Sequence, residues 1–397
     1  RAQAFGFKTN DDINNMTFYN YEVVNRSTFA LNKTYFTVWT DADLGNYVDD
    51  YVGCDIKKGL GFIYNSDGDD QDLSGALGYG EFPAALGCDF FKGPLADVGD
   101  GVDNDFDGTT DELGETIGMA KFLYYNNNIG SFPVQTTNPA LASHFYNYMT
   151  GFWKDGSPFT EGGNAYGGST PVNYVYPGEL YPNDIGWTET SAGNLAGDRR
   201  FLQSAGPFSL LPGAVNNVTF GLPWARSPIK NGNKFAVALL KNADDKAQAL
   251  FDNCFKILDG PEAPDLTIQE GNNELMIYLS NKPSSNNYLN SYAEKDVTIL
   301  GQPGYTVSCL ANPDQFYRFE GYKVYQLKDG TVSQTDVDDP TKAKLVFQCD
   351  VKNGVSRLIN YNYDGSVAAD VPSVKVEGAD EGISTTFKVT EDVFATG

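Results

Sequence analysis

Between residues 16 and 40, apolar and polar residues alternate through two runs, MTFYNYEVV and TFALNKTYFTVWT, with NRS and NK as turn-like breaks. A period of two predicts strands with one buried face. Short strand runs such as GLGFIYN follow, and alternation returns at 206–226, GPFSLLPGAVNNVTFGLPWAR, where Pro-Gly and Asn-Asn mark turns. Two segments switch to a helical period. Residues 138–153, NPALASHFYNYMTGFW, predict a helix with Pro139 in its first turn. Residues 234–257 predict a longer one, with Ala236, Leu239, Leu240, Ala243, Ala247, Leu250, Phe251 and Cys254 on one face. On that face Cys254 is expected to be a buried thiol.

Gly260-Pro-Glu-Ala-Pro264 is the clearest linker in the chain. Beyond it lie DLTIQE, ELMIYLS, DVTIL, YRFEGYKVYQL, AKLVFQCDV, PSVKVE and STTFKVTEDVF. Short strands with regular turn signals of this kind predict a β-sandwich. The expected fold is therefore mainly β. A β-sandwich domain over 1–259 would carry a few helices, including 234–257, and an acidic section at 41–115. A second sandwich would occupy 260–397, and its last strand is expected beyond Gly397.

Composition narrows the function classes. Hydrophobic residues make up 41% and aromatics 14%, enough for packed cores. A net charge of −24 argues against nucleic acid as a partner, since binding it needs a positive surface. No run of about 18 apolar residues predicts a transmembrane helix. The chain begins at Arg1 and reads as a processed product. From Asp41 to Glu115 there are 19 acidic residues against 3 lysines, a net of −16. So dense a cluster needs counter-ions to fold compactly, and divalent cations supply them.

The centre of this section is DGVDNDFDGTTDELGE, residues 100–115. Ca²⁺ takes six to eight oxygens, and an EF-hand loop supplies them from positions one, three, five, seven and twelve, with glycine at six. Asp103, Asp105, Asp107, Gly108 and Thr109 fill the first five of those places, Thr109 through its carbonyl. Position twelve is Gly114 rather than glutamate, so a full EF-hand is absent. Asp111 and Glu112 are placed to close the loop earlier. The alternative is a solvated acidic loop. DADLGNYVDDYVGCD and NSDGDDQD offer a second candidate cation set, Asp41, Asp43, Asp49, Asp55, Asp67 and Asp69, with Asp50, Asn65, Asp70 and Asp72 nearby.

Five cysteines and one histidine, His144, leave no Cys/His zinc site. GCDIKKG at 53–59 is echoed by GCDFFKG at 87–93, so Cys54 and Cys88 are candidates for a disulfide across neighbouring strands. Two buried thiols are the alternative. Cys309 and Cys349 are a candidate bridge in the second domain. No HExxH, GxSxG, phosphate-binding or dinucleotide motif occurs. Trp153, Trp187 and Trp224 suit either a sugar-stacking platform or core packing.

Several phrases resemble the large surface proteins that Bacteroidetes export through type IX secretion: DADLGNYVDDYVGCDIKKGLGFIYN, GFWKDGSPFTEGGNAYGG, GDRRFLQSAGPFSLLPGAVNNVTFGLPWAR, LFDNCFKILDGPEAPDL and YRFEGYKVYQLKDG. The resemblance implies an extracellular or cell-surface location. It also implies an immunoglobulin- or fibronectin-III-like last domain with FEGYKVYQL as a central strand pair. DGVDNDFDGTTDE is similar to acidic metal-binding repeats of bacterial exoproteins, which places ligand roles on Asp103, Asp105, Asp107, Asp111 and Glu112. The sorting domain typical of such cargo is not in this sequence. The expectation is a secreted, calcium-stabilised, non-enzymatic surface or adhesion protein, associating with itself, other surface proteins or glycans. A carbohydrate-binding module is the second reading and a glycoside hydrolase, which needs only two suitably spaced carboxylates, the third.

Overall fold

A computed structural model describes residues 1–9, 11–73, 75, 77–127, 132–255, 260–297, 299, 314–333, 336–337, 339–364 and 369–395. The chain is mainly β, built from antiparallel sheets, and divides into two compact units, Arg1–Phe255 and Lys256–Gly397.

The first unit has strands β1 (Ala2–Phe5), β2 (Thr17–Val24), β3 (Leu31–Asp41), β4 (Asp50–Asp55), β5 (Leu60–Asn65), β6 (Ala84–Lys92), β7 (Lys121–Asn126), β8 (Arg199–Leu210), β9 (Val215–Leu222) and β10 (Trp224–Arg226). Its helices are α1 (Ala142–Thr150), α2 (Glu189–Ala192) and α3 (Asn233–Asp252). One sheet runs β1-β2-β9-β6-β5-β4, with β10 pairing on β6. Pro223, which has no N–H to give a ladder, separates β9 from β10, and its carbonyl accepts from Gly87 instead. A second sheet runs β3-β8-β7.

The sheets pack face to face. Cys54, Ile63, Cys88 and Phe90 from the larger one share a core with Phe122, Tyr124, Phe201 and Phe208 from the smaller. On the other face of the larger sheet, Leu60, Phe62, Tyr64 and Ala85 pack under Ala236, Val237 and Leu240 of α3. The middle layer is thus covered on both sides. That is why β5, LGFIYN, is buried at every position and reads as a continuous apolar run without alternation. At Gly61 a Cβ would collide with the Phe122 ring and approach the Gln203 side chain. The missing side chain lets β8 come close enough for Gln203 to accept from Gly61 N–H at 3.1 Å and donate to the Gly59 carbonyl at 2.6 Å.

Three expectations change here. The 138–153 helix is shorter, capped at Leu141, so Pro139 precedes it. The long helix ends at Asp252, and Cys254 follows in a left-handed turn, exposed rather than buried. Cys54 and Cys88 are both free thiols. Each is registered on Gly61, from opposite sides of β5. Two strand spacings, roughly 9–10 Å, separate them, beyond the ~7 Å Cα limit for a disulfide.

The second unit contains β11 (Asp265–Glu270), β12 (Leu275–Ser280), β13 (Ala293–Lys295), β14 (Phe316–Arg318), β15 (Gly321–Leu327), β16 (Ala343–Asp350), β17 (Arg357–Asp364), β18 (Ala369–Glu377) and β19 (Thr386–Val389). They pair as β11-β12-β19, β13-β14, β15-β16 and β17-β18. Its core joins Ile277, Leu279 and Phe387 to Tyr322 and Cys349, and Phe347 stacks on Phe387 at 4.1 Å. FEGYKVYQL is not a strand pair: it is the single strand β15 with its lead-in, partnered by β16. The Cys349 thiol is free and donates to the Ser384 carbonyl at 3.4 Å. Its candidate partner Cys309 lies outside the described residues, as does part of the DVTIL run.

Candidate metal centre

The acidic loop leaves and rejoins the first unit through a short stem. Leu95 bridges to Thr116, Ala96 donates to the Glu115 carbonyl at 3.0 Å, and Ile117 donates to the Pro94 carbonyl at 2.8 Å. Asp97 pins the outgoing arm to β8 by accepting from the N–H and hydroxyl of Ser209, both at 2.8 Å. Carboxylates that would repel in an extended chain are thereby folded back on one another.

Two trios result. Asp103, Asp105 and Glu115 each bring a carboxylate oxygen within 4.8 Å of the others, and Asp105, Asp107 and Glu112 do the same. Asp105 belongs to both. The loop's own N–H groups satisfy part of this charge: Gly108 donates to Asp103 Oδ2 at 3.0 Å, Asp107 to Asp105 Oδ1 at 3.3 Å, and Thr109 to Asp107 Oδ1 at 2.7 Å. Asp103 Oδ1 and Glu112 Oε2 are sealed from solvent with no hydrogen-bond donor. A sealed acceptor without a donor is costly, and a hard cation at each trio would satisfy one of them. Burial raises the Asp105 carboxyl above its ordinary range, and the charges of Asp107, Glu115 and Asp103 add to the shift. Glu112 forms a hydrogen bond with its own backbone, which pulls it down. Desolvation and the charges of Asp107, Glu115 and Asp105 outweigh that, and it too is raised.

Backbone geometry fits a tight wrap. Gly108 has φ +97°, a conformation other residues rarely adopt, and supplies the turn. Phe106 and Asp111 also take positive φ, at 63° and 60°. Aspartate tolerates this region; phenylalanine seldom does, so holding Phe106 there carries strain.

Of the predicted ligands, the structure gathers Asp103, Asp105, Asp107 and Glu112. Asp111 stands outside both trios, with Oδ1 accepting from Gly101 N–H at the loop neck. Glu115, left out of the predicted set, completes the first trio. It stands at the start of the returning arm, and the stem pairing together with its acceptance from Asn104 N–H brings it back beside Asp103.

The second candidate set is scattered over three places. Asp41 and Asp43 form a trio with Asp198. Arg200 already pairs with Asp41 at 2.8 Å and reaches Asp198 at 3.7 Å. Asp49 is held by the amides of Asn46 and Asn65 at 2.9 and 3.0 Å. Asp67, beyond Asn65, accepts from Asp69 N–H at 2.9 Å. Asp55 is paired with Lys241 of α3 at 2.9 Å. Burial, with Asp70 and Asp67 adding, pushes Asp49 up to about 7.

The tryptophans divide. Trp153 is fully buried, stacked on Phe159 at 3.8 Å, and its indole N–H donates to the Ala165 carbonyl. It is a core residue. Trp187 and Trp224 pack half-buried against the same core. No helix among the described residues is long and apolar enough to cross a membrane.

No family model, curated protein or solved structure matches the chain.

Proposed function

We propose that this chain is a secreted, calcium-stabilised surface protein with a structural or adhesive role and no catalytic chemistry. The observation that supports it most is the convergence of Asp103, Asp105, Asp107, Glu112 and Glu115 around Asp105, with two sealed oxygens lacking donors. Five carboxylates held by a glycine turn suit a hard cation that takes six to eight oxygens. Catalytic carboxylates sit in pockets that push their pKa values apart, whereas Asp105 and Asp107 stand exposed on a loop. The cation is a fastener in this reading: it neutralises the loop and ties its two arms together. The extracellular location rests on the resemblance to type IX secretion cargo and on the calcium levels outside cells that such a loop would use. Self-association or contact with other surface proteins and glycans belongs to the same reading.

Isothermal titration with Ca²⁺ against the chelator-treated protein tests it. Saturable binding that Asp105→Asn abolishes supports the proposal. Heat indistinguishable from buffer dilution in the wild type ends it.

A further inference from the structure

The echo GCDIKKG and GCDFFKG turns out to be a structural equivalence. Asp55 and Asp89 are both registered on Leu60, just as Cys54 and Cys88 are both registered on Gly61. In each copy the cysteine enters the core between the sheets and the aspartate lies on the α3 side. The helix answers the two aspartates differently. Asp55 meets Lys241, an ordinary ion pair. Asp89 shares its cavity with Asp244, three residues along α3 from Lys241, so a second acid, whose carboxyl feels the charge of Asp89, stands where the neighbouring copy has an ammonium. Both side chains are 2% exposed, and each has an Oδ1 that is sealed and has no donor. They are among the groups lining a half-open cavity of about 680 Å³ bordered by α3, the turn between β4 and β5, the end of β6 and the acidic loop.

We propose that Asp89 and Asp244 share one proton, making the pair a pH-sensitive latch between β6 and α3. A proton between the two orphaned oxygens gives one a donor and the other an acceptor, and it removes the repulsion of two ionised groups in a sealed site. A metal ion fits less well. Neither residue belongs to a carboxylate trio within 4.8 Å among the described residues, and the Lys58 ammonium already bears on both.

The surroundings set the titration. Burial pushes Asp89 up to about 8; the Phe90 backbone N–H and Lys58 oppose the rise, and Asp245 and Asp55 reinforce it. Burial also raises Asp244, followed by the charge of Asp89, again against Lys58. Lys58 is itself paired with Asp245. Lys241 from α3, Lys57 from the turn, Lys92 from β6, and Asp105 and Asp107 from the loop complete the charges around the cavity. The unfolded chain loses this proton near pH 4, while the folded pair keeps it until about 8. The latch therefore stabilises fully below about pH 4. Above that it loses about tenfold in the folding equilibrium per pH unit until the folded pair ionises.

Urea unfolding of the wild type, Asp244→Asn and Asp89→Asn between about pH 5 and 9, at one fixed calcium concentration, tests the proposal. Asp50→Asn serves as control for another buried carboxylate. An amide reproduces the neutral partner without titrating. Either latch variant should lower the pH slope by about one proton and match or exceed the wild type in stability at pH 8; Asp50→Asn should leave that component in place. A wild-type slope retained in both variants overturns the latch. So does failure of both to fold, because a neutral amide would then not stand in for the protonated acid. Neither result bears on calcium binding at Asp105.

Discussion

Arg199 grips Glu189 through two parallel hydrogen bonds, Nε to Oε1 at 3.1 Å and Nη2 to Oε2 at 2.9 Å, with both side chains buried. The surroundings satisfy the rest of the pair. Val52 N–H and the Asn194 amide donate to the carboxylate, the guanidinium donates to Asn126 and to the Leu195 carbonyl, and the Tyr124 ring lies 5.4 Å from it. One knot ties α2 and the 194–195 turn to β4, β7 and β8. Removing one partner strands the other, so Glu189→Ala should cost about 3–5 kcal/mol in urea unfolding. A loss under about 1 kcal/mol would show that the knot is dispensable.

Thiol chemistry separates the cysteines. Cys254 is exposed, whereas Cys54 and Cys88 are sealed inside the sandwich and burial raises their thiols well above the ordinary range. Maleimide should label Cys254 in the native protein, and Cys54 and Cys88 only after unfolding; peptide mass spectrometry reads out the sites. A Cys54–Cys88 disulfide peptide from a non-reduced digest would contradict the strand order.

Gly61 is a steric requirement of the middle layer. Gly61→Ala places a methyl group in the Phe122 ring and against Gln203. Overpacking of this sort costs roughly 1–3 kcal/mol. Thermal unfolding should register the loss, and an unchanged melting temperature would mean that the sheets are less closely packed at β5 than described.

If calcium occupies the acidic loop as proposed, protons compete with it there. Asp105 and Glu112 are both raised, so they are protonated at a higher pH than free carboxyls, and a metal must displace those protons. Calcium affinity should therefore fall as pH is lowered from about 7 to about 5. Titration calorimetry at several pH values checks this, and an affinity that rises in acid would contradict the ligand set.

Period-two runs and the stripe through Ala236, Leu240, Ala243 and Ala247 made the strands and α3 legible in sequence, because burial of one face writes itself into spacing. The acidic loop was legible in part, since Asp103, Asp105, Asp107 and Gly108 carry their geometry locally. Glu115 was not, because it joins them through the stem pairing and the Asn104 N–H, contacts that local spacing does not show. The echo of GCD showed that two segments have matched environments; it did not show that β5 would be inserted between them, which is what forbids the disulfide. Asp244 did leave a signal. It stands four residues after Leu240 on the buried stripe, a charged residue where the helix faces the sheet. Cys254 was misplaced because the apolar spacing continues past Asp252 while the backbone turns left-handed.

The most direct test of calcium as a fastener is a melting curve recorded with chelator and with increasing Ca²⁺. Binding confined to the folded state adds about 2.7 kcal/mol at a hundredfold excess over Kd. For a unit of this size that is an upward shift on the order of 5–10 °C, and Asp105→Asn should remove it. A wild-type melting temperature that is the same in chelator and in saturating calcium would contradict the account.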